Sequence, residues 1–174
     1  MKVINLFAGP GAGKSTTAAG IFNHLKNHNK RCELVTEFVK DLVWDKSHAT
    51  LRDPLYLLAN QHHKLHRMLE HDVDYIIVDS PLPVCLAYMD EYWKGKLENL
   101  VFDMFDRFDN DNYFLIRQKQ YMKYGRFQTE DEANSIDTHI ENFMKQRYDM
   151  RYITGTPQAA SLIAANYLGG EEDD

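Results

Sequence analysis

The apolar run Val3-Ile4-Asn5-Leu6-Phe7 passes without a break into Ala8-Gly9-Pro10-Gly11-Ala12-Gly13-Lys14-Ser15-Thr16. Four residues followed by Gly-Lys-Ser/Thr is the pattern of a phosphate-binding loop, here with Ala8 where glycine is commonest. The pattern has a physical cause. Small residues let the backbone curl so that successive N–H groups converge on one anion. A helix that starts where the loop ends adds its positive N-terminus. Lys14 then reaches the β- and γ-phosphates, and Ser15 offers a hydroxyl to Mg²⁺. Such a helix is predicted over Thr17 to His28, with Ala18, Ile21, Phe22 and Leu25 on one face. The alternative is a glycine-rich turn with no ligand, and the agreement of strand, loop and helix speaks against it. The expected nucleotide contacts are Gly9, Pro10, Gly11, Ala12, Gly13, Lys14, Ser15 and Thr16, with a nucleoside triphosphate and Mg²⁺ as the ligands.

A chain of 174 residues, 44% hydrophobic and 26% charged, has the composition of one globular domain rather than of a disordered segment. We place that domain at 1–168 and an acidic, solvated tail at 169–174, ending Glu171-Glu172-Asp173-Asp174. The formal net charge of −6 gives no global basic field for nucleic acid or membrane. Cys32 and Cys85 each lie in an apolar segment and read as buried thiols of a reducing compartment. With no signal peptide and no apolar run of membrane-spanning length, the expected setting is cytoplasmic, without a membrane partner. The oligomeric state stays open.

Further along, Cys32-Glu33-Leu34-Val35-Thr36 reads as a second strand ending at Glu37. A helix opened by Asp53-Pro54 carries Leu55, Leu58, His62, Leu65 and Leu69. Asp74-Tyr75-Ile76-Ile77-Val78-Asp79 has the look of a fully buried parallel strand closed by an acid. Leu97 to Phe108 gives an amphipathic helix, and Tyr113-Phe114-Leu115-Ile116 a fourth strand. Thr129-Glu130-Asp131-Glu132 is a capping box opening a helix with Ala133, Ile136, Ile140 and Phe143. Met150 to Thr154 is a fifth strand. Thr156-Pro157 caps and starts a last helix, which Gly169-Gly170 ends. Strands alternating with helices predict a three-layer α/β fold: a five-stranded parallel sheet with helices on both faces. Ligands of such sheets bind beyond the carboxyl ends of the strands. That rule gathers Glu37, Asp79, Arg117 and the Gly155-Thr156-Pro157 turn around the phosphate loop.

Asp79 ends its strand as a Walker B acid does, where it can hold Mg²⁺; the plainer reading is a turn acid at Asp79-Ser80-Pro81. Glu37 is either the group that accepts a proton from an attacking hydroxyl or an acid in a capping turn. Trp44 is core or a base-stacking platform, and Gln61 a base-reading amide or a surface residue. Tyr56 belongs with these acceptor-side candidates. The stretch Arg117 to Arg126 holds four positive charges and no acid, so it reads as a small lid over about 117–128 or as a solvated surface segment. His62 and His66 lie one helical turn apart, but no acid or cysteine completes a zinc set.

Taken together, the loop Ala8–Thr16, Glu37, the Asp79-Ser80-Pro81 turn, the flap Arg117–Arg126 and Thr154-Gly155-Thr156-Pro157 resemble a small P-loop kinase of the nucleoside and nucleotide kinase group, including the forms carried by bacteriophages. The resemblance runs from Lys2 to about Leu168. It implies that the last turn lies beside the adenine and that the lid arginines, Arg117 and Arg126, clamp the phosphates. It makes Glu37 with Trp44 similar to the Glu…Trp pair of deoxynucleoside kinases, and Gln61 similar to their base-reading glutamine. Asp79-Ser80-Pro81 departs from the Glu-Arg-Ser of those enzymes. The acceptor region offers only Arg52 and Arg67, where monophosphate kinases show arginines. The stretch Lys40–His71 is also similar to nicotinamide riboside kinase-like domains and to phage kinases that act on hydroxymethyluracil in DNA.

The expected activity is transfer of the γ-phosphoryl of ATP to a nucleoside, nucleotide or related small acceptor. Lys14, Glu37, Asp79, Arg117 and Arg126 are the catalytic candidates, and Ser15 and Asp79 the metal ligands. DNA as acceptor and an NTP-hydrolysing regulatory switch remain the alternatives; the chain has no Asn-Lys-x-Asp guanine reader.

Overall fold

The computed structural model describes residues 1–39, 50–118 and 129–169, and for Leu51 the backbone alone. Five strands, β1 (Lys2–Phe7), β2 (Cys32–Val35), β3 (Tyr75–Asp79), β4 (Asp109–Ile116) and β5 (Arg151–Thr154), form one sheet in the order β2-β3-β1-β4-β5. All pairings are parallel. The helices are α1 (Lys14–Asn27), α2 (Pro54–His66), α3 (Glu91–Phe105), α4 (Glu130–Lys145) and α5 (Ala159–Leu168).

Alternation along β1 builds the layers, because successive side chains leave a strand on opposite faces. Ile4 and Leu6 join Ala18, Ile21 and Leu25 of α1 and Ile163, Ala164 and Tyr167 of α5. Phe7 joins Phe114, α3 (Val101, Phe105) and α4 (Ile140, Met144) on the other face. Val3 packs with Val35, Ile76, Val78, Leu65 and Met68. The result is the three-layer parallel α/β architecture the sequence predicts. Gly20 permits the close α1–α5 crossing: a Cβ there would lie 2.5 Å from the Ala160 methyl.

The element boundaries differ where local chemistry was hidden. β4 begins at Asp109, not Tyr113, because its polar first half pairs with β1, from Lys2 opposite Asp109 to Asn5 opposite Asn112. Asn5, fully buried, donates to Asn110 Oδ1 at 2.8 Å and Asn112 Oδ1 at 3.1 Å, while Lys2 pairs with Asp109 at 2.9 Å. α3 starts at Glu91, ahead of its apolar stripe, because the Asp90 side chain accepts from Trp93 N. Thr156-Pro157 does not cap the last helix. Thr156 O accepts from Ala159 N in a preceding turn, and α5 follows Gln158. α2 ends at His66, leaving Leu69 in a 3₁₀ turn over Arg67–Glu70. The Thr129 capping box forms as predicted, with Thr129 Oγ1 accepting from Glu132 N and Glu132 Oε2 from Thr129 N. Among the described residues, no helix is long and apolar enough to cross a membrane.

Candidate functional site

β1 delivers the phosphate loop to the carboxyl edge of the sheet. α1 begins at Lys14, three residues earlier than its apolar stripe suggests, so the loop runs straight into a helix N-terminus. Gly11 (φ 82°) and Gly13 (φ 101°) take left-handed backbone, which a side chain at either place would strain. Lys14 is buried, and its Nζ donates to the loop carbonyls of Ala8 (2.8 Å) and Gly9 (3.0 Å). The ammonium is thus held inside the curl of the loop, where it can exchange carbonyl partners for phosphate oxygens.

The turn after β5 packs against the same loop. Gly155 N donates to Ile116 O at 2.9 Å, and a Cβ on Gly155 would lie 2.7 Å from Ala12 O. Gly13, Thr16, Gly155, Thr156 and Pro157 line one small concavity beside the start of α1. The sequence placed these segments together, and the structure brings them together.

β3 runs beside β1 in register, Asp79 opposite Leu6, and so ends next to the segment that leads into the loop. Asp79 is 3% exposed, and its Oδ1 is the one buried side-chain oxygen without a hydrogen-bond partner among the described residues. Burying an unmatched carboxylate oxygen is costly unless a cation meets it. A carboxylate and a serine hydroxyl are hard oxygen donors of the kind Mg²⁺ takes alongside substrate phosphates. Asp79, with Ser15 at the start of α1, therefore fits that ion. No larger set of His, Cys, Asp and Glu suited to a metal occurs among the described residues. His62 and His66 instead stack, with ring centroids 5.4 Å apart. Burial, and then the charge of His66, hold His62 below the usual histidine range.

At the end of β2, Glu37 Oε1 accepts from Ser80 Oγ at 3.2 Å. Ser80 holds a left-handed backbone (φ 74°), and its hydroxyl bridges the gap between the segments that leave β2 and β3. Gln61 spans the same gap: its Oε1 accepts from Phe38 N at 2.9 Å, and its Nε2 donates to Ser80 O at 3.2 Å. Gln61 is thus a brace between backbone segments, not an amide pointing into open space. Tyr56 is exposed at 44%, with its ring 5.7 Å from that of Phe38. Trp44 and Arg126, and the expected lid apart from Arg117 and Gln118, lie outside the described residues, as does the tail beyond Gly169.

Arg117 does reach the phosphate loop. Its Nη1 donates to Pro10 O at 2.7 Å, and its Nε and Nη2 donate to Asp137 Oδ2 at 3.2 and 2.6 Å. Asp137 Oδ1 in turn accepts from Gly9 N. Sequence reasoning missed Asp137, because 128 residues separate it from Gly9 and it sits among the polar positions of α4. It also missed Ser80 and Phe38, whose roles depend on two loops meeting in space.

The family model described as an AAA domain matches residues 3–157. No curated protein matches the sequence. Among solved structures, deoxyadenosine kinase from M. mycoides with bound dATP is similar at 20% identity and TM-score 0.62, covering 98% of this chain and 100% of that one. Shikimate kinase from Aquifex aeolicus is similar at 16% identity and TM-score 0.55, again covering 98% and 100%. At these identities the likeness is one of fold, and the fold is that of P-loop kinases.

Proposed function

The chain belongs to this AAA domain family, and on that footing we propose that it is an ATP- and Mg²⁺-dependent kinase of a nucleoside, nucleotide or related small acceptor. The observation that carries the proposal is the unpartnered, buried Oδ1 of Asp79 beside a phosphate loop whose lysine is already held within it. The kinase fold of the solved relatives supports it, one of them recorded with a nucleotide bound.

Phosphoryl transfer asks little covalent chemistry of the protein and much positioning and charge stabilisation. The backbone from Gly9 to Ser15, through the N–H groups that follow Pro10, and the Lys14 ammonium bind the β- and γ-phosphates, while Gly9 N stays with Asp137. Ser15 and Asp79 would hold Mg²⁺, which would supply positive charge against the phosphates. Gly155, Thr156 and Pro157 border the adenine side. Glu37, oriented by Ser80, receives or positions the acceptor hydroxyl. For an acceptor that is itself a phosphate, no strong base is needed and Glu37 positions only. Arg117 and Arg126 stabilise the moving phosphoryl group. Trp44, Tyr56 and Gln61 belong to the acceptor side, Gln61 by fixing Phe38 and Ser80.

The test supplies γ-labelled ATP and Mg²⁺ with deoxynucleosides, deoxynucleoside monophosphates, nicotinamide riboside, and DNA with and without hydroxymethyluracil. Label on a small acceptor is the expected result. Label on modified DNA alone, or released only as free phosphate, contradicts it and points to a DNA kinase or a switch.

A further inference from the structure

We propose that Asp137 is a positioning residue for the nucleoside triphosphate, fixing the first turn of the phosphate loop and the Arg117 guanidinium with the two oxygens of one carboxylate. The proposal rests on the nucleotide-site reading and adds to it a residue far from the motif in sequence.

Three observations converge. Asp137 Oδ1 accepts from Gly9 N, and Oδ2 takes both Nε and Nη2 of Arg117, whose remaining Nη1 donates to Pro10 O. The ring therefore closes on two consecutive loop residues from both sides. Arg117 and Asp137 side chains are only 11% and 17% exposed, so solvent screens their pair weakly. The close approach is also built into the chain. A Cβ on Gly9 would lie 2.8 Å from Ala133 O and 2.9 Å from Asp137 Oδ1, so α4 can sit this near only over a glycine.

The consequence is electrostatic as well as geometric. Arg117 follows β4 at the carboxyl edge, where triphosphate charge collects. Left to itself, a long cation there samples many rotamers and points into water. Asp137 restricts it to one orientation against the loop, so less entropy is lost when the nucleotide arrives. The same carboxylate holds the loop in the curl that faces its later N–H groups inward.

Calorimetric binding of Mg·ATP to the full chain tests this without an acceptor, alongside thermal melts of each variant. Asp137→Ala should raise the Kd about tenfold or more, the scale of a lost charge-assisted hydrogen bond. Asp137→Asn keeps an oxygen for Gly9 N but loses the carboxylate for Arg117, so it should fall between wild type and Asp137→Ala. In an Arg117→Met background, Asp137→Asn should add nothing further, because its effect runs through the lost pair. Wild-type Kd in folded Asp137→Ala overturns the proposal. Full additivity of Asp137→Asn with Arg117→Met overturns it too, and decides the matter if the alanine variant does not fold. Failure of the wild-type chain itself to bind Mg·ATP overturns the nucleotide site beneath it, a result distinct from either.

Discussion

Ser80 Oγ lies 3.2 Å from Glu37 Oε1, joining the residue after Asp79 on one strand end to the acid beyond the next. Through this contact the proposed metal side and the proposed acceptor side of the site are joined by one side-chain hydrogen bond. A carboxylate oriented by a neighbouring donor is better placed to receive a proton than one free to rotate.

Glu37→Gln should therefore lower kcat by about two to four orders of magnitude, the usual contribution of a positioned base, and leave the Kd for Mg·ATP within about twofold. Ser80→Ala should produce a smaller loss of the same kind, roughly tenfold, by releasing the carboxylate. Steady-state kinetics with parallel ATP binding separate the two effects. Loss of ATP binding in Glu37→Gln would transfer that residue to the metal.

Gln61 ties Phe38 N to Ser80 O, so its removal strips a partner from a backbone donor and a backbone acceptor at once. Gln61→Ala should destabilise the chain by about 1–3 kcal/mol, visible as an earlier thermal midpoint. A variant with unchanged melting and a raised acceptor KM alone would instead make Gln61 a reader of the nucleobase.

The turn at Gly155 offers a steric test. An alanine Cβ would press on Ala12 O, which belongs to the phosphate loop and cannot retreat without uncurling it. Gly155→Ala should weaken Mg·ATP binding by about tenfold or more, given the 1–3 kcal/mol typical of overpacking. Titration calorimetry of the variant checks this, and wild-type affinity would show that the turn yields.

Burial pushes the Cys85 thiol up to about 12, although the residue as a whole keeps some exposure. The unfolded thiol ionises near its ordinary value of 9.0, so above that pH the unfolded chain releases a proton that the folded chain keeps. The Cys85 contribution to stability is thus complete below about 9 and is lost as pH rises toward about 12. Urea melts at neutral pH and above pH 9 should show a fall in stability that is smaller in Cys85→Ala.

The layers and the loop were legible because they are written in local patterns: strands alternating with helices, the stripe of α1, and the fixed spacing of the phosphate motif. Which face Ile4 and Leu6 or Val3 and Phe7 take was not, since the run is apolar on both faces. Nor was the first half of β4. Asp109-Asn110-Asp111-Asn112 carries no strand signature and becomes strand only because Asn5 and Lys2 meet it from β1. Asp90 escaped for a related reason, since a cap is visible only when the helix behind it is already assigned. In the site, Lys14, Asp79 and Gly155 could be placed by the rule that ligands gather at the strands' carboxyl ends. Asp137 and the Ser80 hydroxyl could not, because each acts through a tertiary contact with no counterpart in spacing.

Every role assigned to the carboxyl edge depends on Mg·ATP seating between the phosphate loop and Asp79. Calorimetric titration of ATP into wild type and Asp79→Asn, each with and without Mg²⁺, measures that directly. Wild type should bind ATP at least about tenfold more tightly with the ion, and Asp79→Asn should lose most of that gain while keeping its metal-free affinity. Equal gains from Mg²⁺ in the two proteins would contradict the assignment of the buried Asp79 oxygen to the metal, and with it the phosphoryl-transfer site built around it.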